Sequence, residues 1–152
     1  MWPTDIQAID FANRRNTFLK KIKKGVAVFP AARAVIRNND VHYPYRQESN
    51  LFYLTGFPEP NTIALLAPEA KNPFNLFVQP KDKTKELWEV YLIGPEAAKS
   101  EYGAYEASLN TPASRFDEAL LLALMAAEAL YYRVGLDNDF DQRIFALMAK
   151  AS

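Results

Sequence analysis

Tyr43-Pro44-Tyr45-Arg46-Gln47-Glu48-Ser49-Asn50-Leu51-Phe52-Tyr53-Leu54-Thr55-Gly56-Phe57-Pro58-Glu59-Pro60 is the stretch of this 152-residue sequence on which the reading of the rest turns. Pro44 pushes Tyr43 out of helical geometry and fixes an extended turn, and Gly56 permits a conformation that a Cβ would hinder. Leu51 to Leu54, short and aromatic-rich between polar breakers, reads as a strand. Upstream, Ala31 to Asn50 carries Asn38-Asn39-Asp40 and reads as a long functional loop. Asp40, His42, Tyr43, Tyr45, Arg46, Gln47 and Asn50, then Phe52, Tyr53 and Phe57, with Trp88 further on, form a set suited to contact, because aromatic and Arg side chains bring large area and few rotamers. For Tyr43, Tyr45, Tyr53 and Phe57 a second reading stands beside this one: they pack the loop against a sheet. Arg46 either reaches an acidic group with its rigid fork or satisfies buried carbonyls.

Outward from this stretch, helices and strands alternate. From about Asp5 to Lys24, Phe11, Phe18, Leu19 and Ile22 share one helical face, Arg14 and the lysines lie largely elsewhere, and Gly25 is the expected terminator. Val26 to Phe29, Thr62 to Leu66 and Phe74 to Val78 read as strands. Gly94-Pro95 opens a helix with an acidic first turn that runs to about Tyr102 and stops before Gly103. Another begins after Thr111, with Ser114 and Asp117 as a capping pair and Phe116, Leu120, Ala123, Leu124 and Ala127 facing a core. Leu130 to Val134 reads as a strand or as helix continuing through Tyr131. After Gly135, Asp139 is placed to cap a last helix containing Ile144, Phe145, Leu147 and Met148. This order predicts one α/β domain over residues 1–152, with helices packed on a mixed sheet.

Composition narrows the function. Eighteen basic residues balance eighteen acidic ones, giving formal net charge +0 and a pI near 6.6, so no global field draws the chain to nucleic acid or acidic membranes. The start lacks the basic-then-apolar pattern of a signal peptide, and no apolar run approaches the roughly 20 residues of a membrane span. The absence of cysteine rules out disulfides, thiolate metal sites and a cysteine nucleophile, and fits a reducing cytoplasm.

Independent chemistry is not expected. The chain has one histidine, His42, with no second imidazole to pair with it at ligand spacing, so it reads as a hydrogen-bonding loop residue. Asp137, Asp139 and Asp141 lie close together at a helix start, where acids belong for dipole reasons, and lack the Gly and distal Glu of a calcium loop. Neither a glycine-rich phosphate cradle nor a Gly-x-Ser-x-Gly elbow occurs. No catalytic residue and no metal ligand are therefore assigned.

The run from Tyr43 to Pro60 resembles the aminopeptidase P amino-terminal domain, a member of the creatinase and prolidase superfamily. Arg14-Arg15 in the opening helix, Glu86-Leu87-Trp88 and Gly94-Pro95-Glu96-Ala97-Ala98 extend the likeness over nearly the whole chain. The resemblance implies a ribonuclease-H-like mixed β-sheet flanked by helices. It further implies a parent enzyme, an Xaa-Pro aminopeptidase, that removes the residue preceding proline with two manganese ions held in a carboxyl-terminal pita-bread domain absent from this chain. The amino-terminal domain of such an enzyme packs over that catalytic domain, shapes access of proline-containing peptides and supports homo-oligomers. Carried over by position, the resemblance puts Asp40 near the domain junction and Trp88 at the substrate entrance of a neighbouring subunit, with His42, Tyr43, Tyr45 and Arg46 as access or interface residues. After Trp88 the family commonly has glycine and arginine, whereas this chain has Glu89, Val90, Tyr91 and Leu92. A stand-alone module that binds peptides or proteins through a peptidase-like surface is the alternative.

Overall fold

Strand residues here alternate between two apolar faces, and that alternation builds the sheet. The computed structural model describes residues 8–33, 45–80, 92–111 and 115–152. Five strands, β1 (Gly25–Pro30), β2 (Ile63–Leu66), β3 (Phe74–Val78), β4 (Glu106–Leu109) and β5 (Ala129–Tyr131), form one sheet in the order β4-β3-β2-β1-β5. β1, β2 and β3 pair antiparallel, while β4 joins β3 and β5 joins β1 in parallel. The sheet is thus mixed, as expected. β4 gives no sequence signal, because Glu-Ala-Ser-Leu is short and only partly buried.

Each face carries its own core, as a sheet covered on both sides requires. Ala27, Ala64, Leu66, Phe74, Leu76 and Val78 face one side and pack with Ile22, Leu51, Phe57 and Ala98. Those four residues come from or near the helices α1 (Ala8–Ile22), α2 (Ser49–Thr55) and α3 (Gly94–Ser100). Val26, Val28, Ile63, Leu65 and Phe77 face the other side, against Phe116 and Leu120 of α4 (Phe116–Ala126) and Ile144 and Leu147 of α5 (Asn138–Ala151). Burying each of the Val, Leu, Ile and Phe side chains contributes about 1.5–3 kcal/mol, and the period-2 placement lets both layers share the same three central strands.

The most instructive departure from the sequence reading is α2. Leu51–Leu54 is helical, not extended. Both carboxylate oxygens of Glu48 accept backbone N–H groups of the first turn, from Asn50 and Leu51, each at 3.0 Å. At the other end Gly56 adopts φ 71° and donates its N–H to Phe52 O at 2.8 Å. Leu51, Leu54 and Thr55 are buried on one side, a spacing that fits a helix and not a pleat.

Two smaller expectations are also corrected. The first helix ends where Lys23 turns into the left-handed region at φ 51°, and Gly25 already belongs to β1. A Cβ at Gly25 would lie 2.6 Å from the Tyr131 ring, so close packing is what asks for glycine there. The last helix is capped by Asp137, whose side chain accepts from Phe140 N, while Asp139 sits in the first turn. On that helix Ile144 and Leu147 are buried but Phe145 and Met148 are exposed. Ser114 lies outside the described residues, and Asp117 is engaged by Arg143 Nε at 2.7 Å.

Arg15, next to Arg14 on α1, is buried. Its Nη1 donates to Leu54 O at 3.1 Å, and the guanidinium sits 4.5 Å from the Phe74 ring centroid. A cation at the C-terminal turn of α2 meets the negative end of that helix, which ties α1 to α2. Among the described residues no helix is long and apolar enough to cross a membrane.

Candidate functional site

At one end of the sheet the C-terminal ends of β1, β3 and β4 meet the N-terminal end of β2, with Pro30 opposite Ile63 and Val78 opposite Leu109. Two long stretches outside the described residues adjoin this end, between Arg33 and Tyr45 and between Pro80 and Leu92, and a short one follows Thr111. The described flanks on both sides are fastened to one short run, Phe57-Pro58-Glu59-Pro60.

Gln47 makes the first fastening. Its Oε1 accepts from Ala32 N at 3.1 Å and from Glu48 N at 2.9 Å, and its Nε2 donates to Phe57 O at 3.1 Å and Glu59 O at 2.8 Å. The Tyr45 hydroxyl lies 2.5 Å from Ala32 O and 2.9 Å from Gln47 Oε1, with one proton between the two acceptors. Tyr45 is half-buried here. Removal from water, then the Glu48 carboxylate, pushes its hydroxyl up to about 12, so it stays protonated and donating at neutral pH.

The second fastening uses the same run. Glu59, buried between two prolines, accepts Ile93 N on Oε2 at 2.8 Å, and Gln79 Nε2 donates to Pro60 O at 3.0 Å. Ala31 N reaches Thr62 O at 2.7 Å and Asn110 Nδ2 reaches Asn61 O at 3.0 Å, continuing the polar seam. Beside it lies a cavity of about 820 Å³ bordered by Arg33, Gln79, Asn110 and Asp137. Arg33 closes its rim with a two-pronged pair to Asp137, Nε to Oδ2 at 2.9 Å and Nη2 to Oδ1 at 2.7 Å, plus Asp139 at 3.3 Å. The Arg33 hydrogen bond holds the Asp137 carboxyl below its usual range, against the opposing effect of burial.

Of the residues singled out from sequence, Tyr45 and Gln47 meet in this network, and Arg46 is exposed beside it without taking part. Asp40, His42, Tyr43 and Trp88 lie outside the described residues. Phe57 is fully buried against Tyr102 at 5.0 Å between ring centroids, so for it the packing reading holds. Tyr53 is exposed under the guanidinium of Arg14. Sequence reasoning passed over Glu59 and Arg33. A carboxylate between two prolines, whose neighbours lack N–H donors, was a usable sign of the first; the second depends on contact with Asp137, distant in sequence, which no local pattern announces.

A metal centre does not fit these residues. Among the described residues no group of three or more His, Cys, Asp or Glu side chains is placed to hold an ion. The acidic cluster at the start of α5 is occupied with structural work: Asp137 caps α5 and pairs with Arg33, Asp139 pairs with Arg33, and Asp141 accepts the Tyr132 hydroxyl at 2.5 Å and Gly135 N at 3.0 Å. Hydrogen bonding and rigid positioning are what this end of the sheet can supply.

The sequence matches the family described as aminopeptidase P, N-terminal domain, over residues 11–132. It is 30% identical over 135 residues to the Xaa-Pro aminopeptidase of Escherichia coli (strain K12), covering 87% of this chain and 30% of that protein. Among solved structures, Pseudomonas aeruginosa aminopeptidase PepP superposes with a TM-score of 0.84 at 33% identity, over 95% of this chain and 33% of that one. A Zn-substituted Escherichia coli aminopeptidase P in complex with product gives a TM-score of 0.83 at 27% identity, over 97% and 33%. The chain spans about a third of the length of these relatives.

Proposed function

Because this chain belongs to the aminopeptidase P amino-terminal domain family, we propose that it is the non-catalytic amino-terminal domain of an Xaa-Pro aminopeptidase, shaping peptide access to a catalytic domain that holds the metal. The observation that carries this reading is the common root at Phe57–Pro60. The flanks of the segment bearing Asp40, His42 and Tyr43 are bound there through Gln47 and Tyr45, and those of the segment bearing Trp88 through Glu59 and Gln79. Flanks fastened to one rigid edge are the kind of support that a positioned binding surface needs.

In this reading Asp40 hydrogen-bonds at the domain junction, Trp88 lines the entrance of a neighbouring subunit in a homo-oligomer, and the protein works in the cytoplasm. The two manganese ions that the family implies belong to the catalytic partner, and no reaction step is assigned to these residues. Positioning from outside the reacting centre acts mainly through substrate binding.

The test is steady-state hydrolysis of an Xaa-Pro peptide by the polypeptide that joins this domain to its catalytic partner. Gln47→Ala and Trp88→Ala are each expected to raise KM about threefold or more, with kcat within about twofold. Unchanged KM in both variants, in protein that remains folded, would remove the access role.

A further inference from the structure

Between α1, α2 and β5 lies a cavity of about 580 Å³, separate from the seam at Phe57–Pro60. Its floor is apolar and aromatic: Phe18 and Phe29 meet edge to face at 5.7 Å, with Leu54 beside them and Tyr131 half-exposed at the border. The charged side chains that line it among the described residues are all cations, Arg14, Lys21 and Arg133. Arg14 is held in place, its Nη1 3.3 Å from Tyr53 O and its guanidinium 4.4 Å from the Tyr53 ring centroid.

Among the described residues, none forms an ion pair with Lys21 or Arg133. The ion pairs between described residues use Lys24, Arg33, Lys99 and Arg143 instead. β5 ends the sheet, and among the described residues no strand pairs with its outer edge. A lone arginine beside an edge strand is a common guard against self-pairing. That role leaves unexplained why two cations of a different element, α1, border the same cavity.

We propose that this groove binds an extended acidic peptide whose side chains alternate between carboxylate and apolar. In extended backbone successive side chains point to opposite sides, so apolar groups settle on Phe18, Phe29 and Tyr131 while carboxylates reach the cationic rim. Arg gives such carboxylates a two-pronged partner, and the aromatic floor supplies area with little rotamer entropy lost. A chain with balanced charge overall concentrates positive potential here, which favours this ligand over a basic peptide. The inference does not depend on the proposed access role.

The experiment is fluorescence anisotropy of the 152-residue protein with a labelled hexapeptide of alternating Glu and Leu. A Lys–Leu hexapeptide and an oligothymidylate serve as comparison probes, and amide chemical-shift mapping locates the contact. Saturable binding of the Glu–Leu peptide is expected, weakening as salt rises from about 50 to about 500 mM, with shifts at Phe18, Tyr131 and Arg133. The double reversal Lys21→Glu with Arg133→Glu is expected to raise Kd about tenfold or more without moving the unfolding midpoint. Absent saturation, a Kd indifferent to the reversal, shifts confined to another surface, or preference for the oligothymidylate would each overturn the proposal.

Discussion

Gln47 Nε2 stands 2.8 Å from the carbonyl oxygen of Glu59, and through that bond the returning end of one segment is fixed to the run that also anchors the other. The neighbouring bond to Phe57 O completes the use of both amide protons, and Oε1 serves Ala32 N and Glu48 N. Gln47→Glu keeps the shape but turns a carboxylate toward two carbonyl oxygens. It is expected to destabilise the fold by about 2–4 kcal/mol, more than Gln47→Ala at about 1–3 kcal/mol, because an unpartnered charge is worse than a missing one. Urea unfolding of the two variants gives the order.

Tyr45 predicts an alkaline limb. Its hydroxyl is bound as the neutral form and titrates in the folded protein at about 12 instead of 10.0. The stability this contributes is fully present below pH 10.0 and is lost as pH rises through about 12. Tyr45→Phe has no proton to lose, so its unfolding midpoint is expected to fall less steeply than the wild type across this window. Thermal melts at stepped pH measure the difference; parallel curves would mean that the hydroxyl is not held as described.

Asp137 has two jobs that substitution separates. Asn keeps a side-chain oxygen for the N-cap but loses the charge that meets Arg33, whereas Ala loses both. Asp137→Ala is expected to cost about 1 kcal/mol through the cap, and Asp137→Asn only a few tenths. Since Arg33 lowers the folded-state pKa of Asp137, its contribution holds above the ordinary value of 3.8 and is lost as pH falls through the lowered one. Denaturant melts at pH 7 and pH 3 check both statements.

Gly56 cannot be replaced cheaply. At φ 71° it closes α2, and a Cβ there would lie 2.8 Å from the Phe11 ring. Gly56→Ala combines left-handed strain with overpacking, and a loss of about 2–4 kcal/mol is expected from equilibrium unfolding. Gly135→Ala is the control: its φ is also positive, at 103°, but nothing lies within 4 Å, so only the backbone penalty applies.

The layered fold was legible because Val26 to Phe29, Thr62 to Leu66 and Phe74 to Val78 carry dense apolar patterns between clear breakers. Leu51 to Leu54 misled for a physical reason: four apolar residues are too few to separate period 2 from period 3.6, and the deciding cap came from Glu48, an uncommon residue for that position. Asp139 and Asp137 compete as caps in sequence, and only backbone geometry chooses between them. Of the candidate site, Tyr45 and Gln47 were visible through the run that carries the family resemblance. Glu59 and Arg33 act through Ile93 and Asp137, partners that the folded sheet brings close and the linear order hides.

The role proposed for these residues is to position and cover a hydrolytic centre held elsewhere. Its most direct test is manganese titration of the purified 152-residue chain by calorimetry, followed by assay on an Xaa-Pro peptide. No stoichiometric ion binding and no turnover above the metal-only blank are expected. Two tightly bound ions per chain, with hydrolysis that copurifies with the protein, would contradict it.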